Sequence, residues 1–343
     1  MLNKEYFAKR SASFRRNCGI SQAQLAERLG VSPQAVSKWE TAAALPDVEL
    51  LLALSDLYGV SMNELLENNS YLKRISDREY KEEKGIFSYV EPLADEEFIQ
   101  WEKDMQVEGW IARNWNDVWD LPGGWAETEC GVSKLAERLK VNDRQIAKQV
   151  ADGGGVILEI GAGPGGGYMP YILQANAQAN IILSDFSCVV VKEWKKLLDE
   201  RFDAPFLSYA VFDFCDIPFK DCTIDIITDH SGILNCVGEQ AKALRECYRV
   251  LKPGGVLVSQ CSFVTKMDWQ ALPEAAAERL KTDFPDIFND LYQDTVLAGF
   301  SKIDSKVLGN WTALEDNDSG VAELAKELGI DVRFTEYVRF CEK

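Results

Sequence analysis

The twelve residues Val156-Ile-Leu-Glu-Ile-Gly-Ala-Gly-Pro-Gly-Gly-Gly167 constrain this chain more than any other stretch. Five mostly apolar, β-favouring residues run straight into a glycine-dense turn, and helix-compatible sequence follows from Tyr168. A parallel strand buried on both faces reads as such a short apolar run. Glycines directly after it let the backbone approach a ligand with no Cβ in the way, and the amides of the following helix N-terminus then face that ligand. This is a nucleotide-type binding turn. Gly161, Gly163 and Gly166 satisfy the pattern G-x-G-x-x-G, which by itself does not separate one nucleotide from another.

A chain of 343 residues suggests about two domains, and 46% hydrophobic residues suffice for a sizeable core. No apolar run approaches the roughly 20 residues that span a bilayer, and Met1-Leu-Asn-Lys-Glu-Tyr6 lacks the apolar region of a signal peptide. The nine cysteines are scattered without a C-x-x-C pair and there is one histidine, so reduced thiols are expected and a metal site is not. These features predict a cytoplasmic protein with no membrane partner. The net charge of −18 is unevenly spread: residues 1–40 hold seven basic and three acidic side chains, a balance of +4, which leaves −22 for the rest. A polyanion would be attracted to the first segment and repelled by the remainder.

Within residues 1–68, a helix is expected over 4–18, with Gly19 at its end. Ser21 is a good N-cap for Gln22–Leu29, Gly30-Val31-Ser32 is a tight turn, and Ser32 with Pro33 opens a helix through Glu40. Two short helices joined by a glycine-containing turn form a helix-turn-helix. Gly19 to Glu40, with Leu45-Pro-Asp47 and Tyr58-Gly-Val-Ser-Met-Asn-Glu-Leu-Leu66, resembles the Cro/repressor-like (XRE) helix-turn-helix family over about residues 5–67. That resemblance implies that Gln34, Ala35, Ser37 and Lys38 face the major groove of double-stranded DNA, with Gln22 toward phosphate. Val36 and Trp39 point into the core. It also implies a homodimer reading paired half-sites. Thr41-Ala42-Ala43 departs from the family's usual basic residue and glycine.

Residues 69–130 read as a charged linker and a cap. Tyr71–Lys84 is densely charged and is expected as a solvated linker helix. Trp101, Trp110, Trp115, Trp119 and Trp125 follow. Either they pack this segment over the next domain, or they form an aromatic lid over a substrate pocket. Leu135–Lys148 repeats Leu25–Lys38 closely, but Lys140 replaces the turn glycine, which favours one ordinary helix leading to the strand at 156.

From 131 to 343 strands and helices alternate, so the fold class is α/β: a doubly wound parallel sheet with helices on both faces, following the all-α head. The site should lie beyond the carboxyl ends of the strands. Asp185 ends the second strand, Asp213 and Phe214 follow the third, Asp229 and His230 follow the fourth, and Leu251-Lys-Pro-Gly-Gly255 precedes the fifth. This pattern resembles class I S-adenosylmethionine-dependent methyltransferases, whose fold is Rossmann-like with a late antiparallel strand pair, matched here by Gly299–Ile303 and Val332–Cys341. The resemblance implies S-adenosyl-L-methionine as cofactor. Gly161, Gly163 and Gly165 would admit its methionine part, with Glu159 near the amino group. Asp185 would hold the ribose hydroxyls, Phe186 would lie against adenine, and Asp213 with the Phe214 amide would bind the adenine edge.

Other chemistries fit less well. Tyr248-x-x-x-Lys252 matches a reductase motif, but Lys252 sits at a helix end before Pro253 and lacks the upstream serine. Asp229-His-Ser-Gly232 is not the proline-containing turn of amino-group DNA methyltransferases, no Pro-Cys pair exists, and the −22 balance disfavours nucleic acid at this site. A small-molecule acceptor is therefore expected. His230 is the candidate base or acceptor-orienting residue, with Asp229 as its partner, the bland alternative being a histidine bonded to loop backbone. An alternative role for the domain is a non-catalytic ligand sensor that tunes a DNA-bound regulator.

Overall fold

In the computed structural model, residues 4–66, 70–91, 96–127, 132–316 and 320–343 are described. The two expected domain boundaries, at 68/69 and 130/131, and Cys130 lie outside them. The chain divides into two compact units, Met1–Ser76 with Phe202–Leu207, and Asp77–Arg201 with Ser208–Lys343.

The first unit is helical: α1 Lys4–Asn17, α2 Gln22–Leu29, α3 Pro33–Glu40, α4 Val48–Tyr58 and α5 Met62–Leu66. Its boundaries follow from local chemistry. Ser21 and Gln24 form a reciprocal capping box, so two of the orphan donors at the start of α2 are satisfied. Ser32 accepts from the Ala35 amide, Pro33 takes the first turn of α3, and Asp47 caps α4. The core gathers Phe7, Leu25, Ala26, Val36, Trp39, Leu51, Leu54 and Leu65. One charged contact runs through it. Arg15 on α1 meets Glu40 at the end of α3 through Nε–Oε1 (2.6 Å) and Nη2–Oε2 (3.0 Å), and Gln22 donates to the same carboxylate at 2.7 Å. The pair is almost fully buried, and a two-pronged guanidinium–carboxylate contact fixes both position and angle.

The second unit is built on a nine-stranded sheet. Its strands are β1 Lys81–Glu83, β2 Ile86–Ser88, β3 Val156–Ile160, β4 Asn180–Asp185, β5 Leu207–Val211, β6 Ile224–His230, β7 Leu251–Phe263, β8 Lys302–Thr312 and β9 Arg333–Glu342, in the order β1-β2-β5-β4-β3-β6-β7-β9-β8. β4, β3, β6 and β7 run parallel, whereas β9 lies antiparallel between β7 and β8. Strand order turns back between β3 and β6, which is where a doubly wound sheet opens a ligand crevice. Every residue of β3 is buried, as its apolar run requires. Beneath the sheet, Asp225 pairs with Lys252 at 2.8 Å and accepts from the Val156 amide, locking the starts of β3, β6 and β7 together. Among the described residues no helix is long and apolar enough to cross a membrane.

Two expectations change here. The charged stretch 71–84 is not one linker helix. Helix Ser70–Ile75 is followed by the β1–β2 hairpin, whose second strand adds to the sheet parallel to β5. Lys84 and Gly85 both take positive φ (51° and 79°), the geometry of a two-residue hairpin turn, and buried Ile86 and Phe87 overrule the charge pattern. β7 also begins at Leu251, so the Lys-Pro-Gly-Gly run lies inside an irregular strand, with a register shift between Ile224 and Ile226 opposite it. The segment repeating Leu25–Lys38 is part of one helix, Val132–Gly153, as its turn lysine predicts.

Replacing Glu40 with alanine leaves the Arg15 guanidinium buried without its counter-charge. A loss of about 3 kcal/mol in the first unit is expected. It is read as lost hydrogen-exchange protection over residues 22–40, and unchanged protection would contradict this role.

Candidate functional site

The site grows from the turn after β3. Trp194 donates its indole N–H to the Gly163 carbonyl at 2.8 Å, and Asp185, ending β4, accepts from the Gly163 amide at 2.8 Å. The turn is thus held from both sides. Glu159 lies under it, fully buried, accepting from the Tyr168 amide (3.1 Å) and the Thr228 hydroxyl (2.8 Å). A Cβ on Gly167, at φ +55°, would overlap Glu159 Oε1, so glycine is demanded there by close approach as well as conformation. Burial pushes the Glu159 carboxyl up to about 8, with the Thr228 hydrogen bond opposing it. Glu159 Oε1 itself is buried without a hydrogen-bond partner.

The other predicted residues gather around this turn. Asp185 Oδ1 accepts from the Ser187 amide at 2.7 Å. Burial raises the Asp185 carboxyl while its backbone donors pull it back. A carboxylate has about four acceptor positions, so its backbone donors leave acceptor capacity for a ligand. Phe186, next in sequence, is half exposed. Asp213 follows β5, its Oδ1 accepting from the Cys215 amide at 2.8 Å. The Phe214 ring lies 3.0 Å from where a Cβ on Gly161 would sit, with the Gly232 Cα at 3.7 Å, so two loops converge on the first glycine. A Cβ on Gly165 would meet nothing within 4 Å.

His230, ending β6, is about a quarter exposed, and here the structure corrects the expected pairing. Asp229 points away: its Oδ1 accepts from the Ile233 amide (3.0 Å) and its Oδ2 from Ser259 (2.6 Å). The carboxylate beside His230 is Asp143, with Oδ1 at 3.4 Å from Nε2. Gln260 Nε2 also stands 3.2 Å from that nitrogen and donates to Glu336 Oε1 at 2.7 Å, while Gln260 Oε1 accepts from the Tyr168 hydroxyl. Burial alone would lower the imidazole pKa, but Asp143, Glu336 and Glu159 outweigh it and raise it to about 9. The imidazolium is therefore the form present at neutral pH. A raised pKa stabilises the fold fully below the unfolded value near 6.5, and that contribution is lost as pH climbs through about 9.

Asp143, Tyr168, Gln260 and Glu336 are not among the site residues that the sequence points to. One signal was available: Asp143 sits on the apolar stripe Ile146, Ala147, Val150 of its helix, where a carboxylate needs a partner. Glu336, inside a strand 175 residues after Gly161 in sequence, offered none.

The cap spans Glu96–Val118 as consecutive helical segments, with nine π-helical residues at Lys103–Ile111. Trp110 packs on Trp125 (4.8 Å) and Trp115 on both Trp119 (5.6 Å) and Trp194 (6.2 Å). A cavity of about 1020 Å³ lies beneath, lined by Ile86, Val107, Ile111, Trp115, Phe186 and Val189 among others. Trp110 and Trp125 pack on each other, Trp115 packs on Trp119 and Trp194, and Trp115 also lines this cavity. That cavity borders Phe186, and neither His230 nor Gln260 lines it.

In the first unit, Gln34 and Lys38 are exposed, Ala35 and Ser37 half-buried, and Val36 and Trp39 buried. Gln22 turns one amide hydrogen to Glu40, leaving the other for an outside acceptor.

Because His230 is the chain's single histidine, its titration is read directly by NMR. A pKa near 9 is expected in the native chain. In Asp143→Asn it should fall by about one unit or more. An equal value in both proteins would remove Asp143 from the site.

Residues 12–65 match the family model described as helix-turn-helix, and residues 158–259 the one described as methyltransferase domain. The ubiquinone/menaquinone biosynthesis C-methyltransferase of Idiomarina loihiensis is 30% identical over 133 residues, 38% of this chain and 51% of that protein. The demethylmenaquinone methyltransferase of Streptomyces avermitilis is 36% identical over 121 residues, 35% of this chain and 48% of that one. The HTH-type transcriptional activator BcrR of Enterococcus faecalis is 30% identical over 89 residues, 26% of this chain and 44% of its own length. The chain thus spans about half the length of the curated relatives it matches. It carries a helix-turn-helix domain of the XRE type and, after it, a methyltransferase domain on a Rossmann-like sheet.

Proposed function

We propose that the chain transfers a methyl group from S-adenosyl-L-methionine to a small-molecule acceptor, and that residues 1–68 bind double-stranded DNA as a homodimer, tying the enzyme to transcriptional regulation. The observation that carries the first part is the convergence of Asp185, Asp213 and the open glycine turn at the carboxyl ends of β4, β5 and β3. These residues fit the cofactor. Gly165 leaves backbone open to its methionine part, Asp185 keeps acceptor positions for ribose hydroxyls, and half-exposed Phe186 offers a ring face to adenine. Asp213 and the Phe214 amide would meet the adenine edge. Glu159 Oε1 is a buried acceptor without a donor, under the turn where an ammonium would arrive, and a nearby cation would favour its charged form.

When bound, the cofactor supplies an activated methyl group, so the protein's task is alignment. His230, as an imidazolium backed by Asp143, donates a hydrogen bond that orients the acceptor and stabilises negative charge on it. Asp229 acts through the loop instead, holding Ile233 and Ser259. The relatives named as ubiquinone/menaquinone biosynthesis C-methyltransferase and demethylmenaquinone methyltransferase support a small-molecule acceptor. For the DNA-binding part, support comes from the exposed Gln34 and Lys38 on α3 and from the +4 balance of residues 1–40.

Incubating the intact chain with methyl-labelled S-adenosylmethionine and fractionated cell extract should place label in small molecules. Label in no fraction, with cofactor still bound, would favour the ligand-sensor reading. His230→Ala should keep cofactor binding and lose about a hundredfold in turnover. In the native protein, turnover should fall as pH rises through about 9 and the imidazolium is lost, whereas a rate that climbs through that pH would make His230 a base instead. Lys38→Ala should lower the salt slope of DNA binding by about 1.

A further inference from the structure

Eight cysteines among the described residues are free thiols, and two of them touch: Cys215 Sγ lies 3.1 Å from Cys236 Sγ. Their places in the fold give the contact meaning. Cys215 follows Asp213-Phe214, and its amide donates to Asp213 Oδ1. Cys236 lies in the loop after His230, its amide bonded to the Ile233 carbonyl, while Ile233 in turn bonds to Asp229. Phe214 and Gly232, one from each segment, are the two groups that close on Gly161. A bond between the sulfurs would join the two walls of the cofactor turn.

We infer that Cys215 and Cys236 form a reversible redox pair whose disulfide clamps the mouth of the cofactor site and restrains methyl transfer. That this restrains methyl transfer rests on the function proposed above. The formation of the bridge does not. Cys236 is partly exposed and Cys215 buried, so a peroxide meets Cys236 first. Burial, and then the neighbouring Cys236 thiol, push the Cys215 thiol far up, which leaves it to act second. The Cys236 thiolate attacks one peroxide oxygen, breaking the O–O bond and giving a sulfenic acid and hydroxide. The Cys215 sulfur then displaces the sulfenic oxygen as water, forming the S–S bond. In sum two thiols and one hydrogen peroxide give one disulfide and two waters, the sulfurs losing two electrons to the peroxide. The sulfur separation must shrink to about 2.05 Å, a shift carried into the Asp213 turn and the 231–239 loop. Displacements of about 1 Å near a reacting centre cost up to about a hundredfold in rate. A thiol reductant restores the open form.

The test uses the full chain, treated with stoichiometric hydrogen peroxide, then digested without reduction and mapped by mass spectrometry. Expected are a Cys215–Cys236 cross-linked peptide, cofactor exchange and turnover slowed by roughly tenfold to a hundredfold, and full recovery with dithiothreitol. Cys236→Ser should fold, bind the cofactor as the native chain does, and ignore peroxide. Other pairings, sulfinic acid without cross-link, or a cross-link that leaves exchange and turnover unchanged would each overturn the proposal. If the reduced chain fails to bind S-adenosylmethionine while the cross-link still forms, it is the function reading that fails, and with it the restraint of methyl transfer.

Discussion

A fully buried carboxyl group holds this molecule's site together. Glu159 sits at the end of the most buried strand, under a turn whose glycine at 167 leaves it just enough room. Through one oxygen it ties β3 to Thr228 on β6 and to the first amide of the helix that follows the turn. An unpaired buried charge is costly, so the group's pKa rises to about 8 and the chain carries it near neutrality partly protonated. The consequences spread along hydrogen bonds. Tyr168, placed by Glu159, reaches Gln260 on β7, and Gln260 meets Glu336 on β9 and the imidazole of His230. The turn after β3 and His230 are therefore parts of one hydrogen-bonded network, so a change at one end acts on the other.

That network also explains the acidity around a lone histidine. Asp143, Glu159 and Glu336 all act on His230, and their summed field, rather than any single pair, keeps it cationic. β9, antiparallel to β7, brings Glu336 to Gln260 in this cluster. Asp225 and Lys252 play the opposite part. They belong to the same sequence motifs as the site residues, yet they work beneath the sheet, bracing the starts of three strands.

Much of this was legible in the sequence because it is local. Caps at Ser21, Ser32 and Asp47, the apolar run at 156–160, and the acids after β4 and β5 each depend on a few neighbouring residues. What escaped depends on distant ones. A charged stretch such as 71–84 looks solvated until Phe87 finds a sheet edge to cover. Asp229 seemed the natural partner of His230 because it is adjacent, but alternate residues of a strand point to opposite faces, so it turned to Ser259 while a helix before β3 supplied Asp143. The tryptophans announced a cap without saying which of them would pack and which would line a cavity, since that is settled by Trp194 and the helix beneath.

The claim on which the rest depends is that the turn after β3 is a S-adenosylmethionine site. Calorimetric titration of the intact chain with S-adenosylmethionine tests it most directly, alongside Asp185→Ala. The account predicts saturable binding at one site per chain, weakened by about a hundredfold or more in the variant as two ribose hydrogen bonds are lost. Absence of binding to the native chain, or equal affinity in the two proteins, would contradict it.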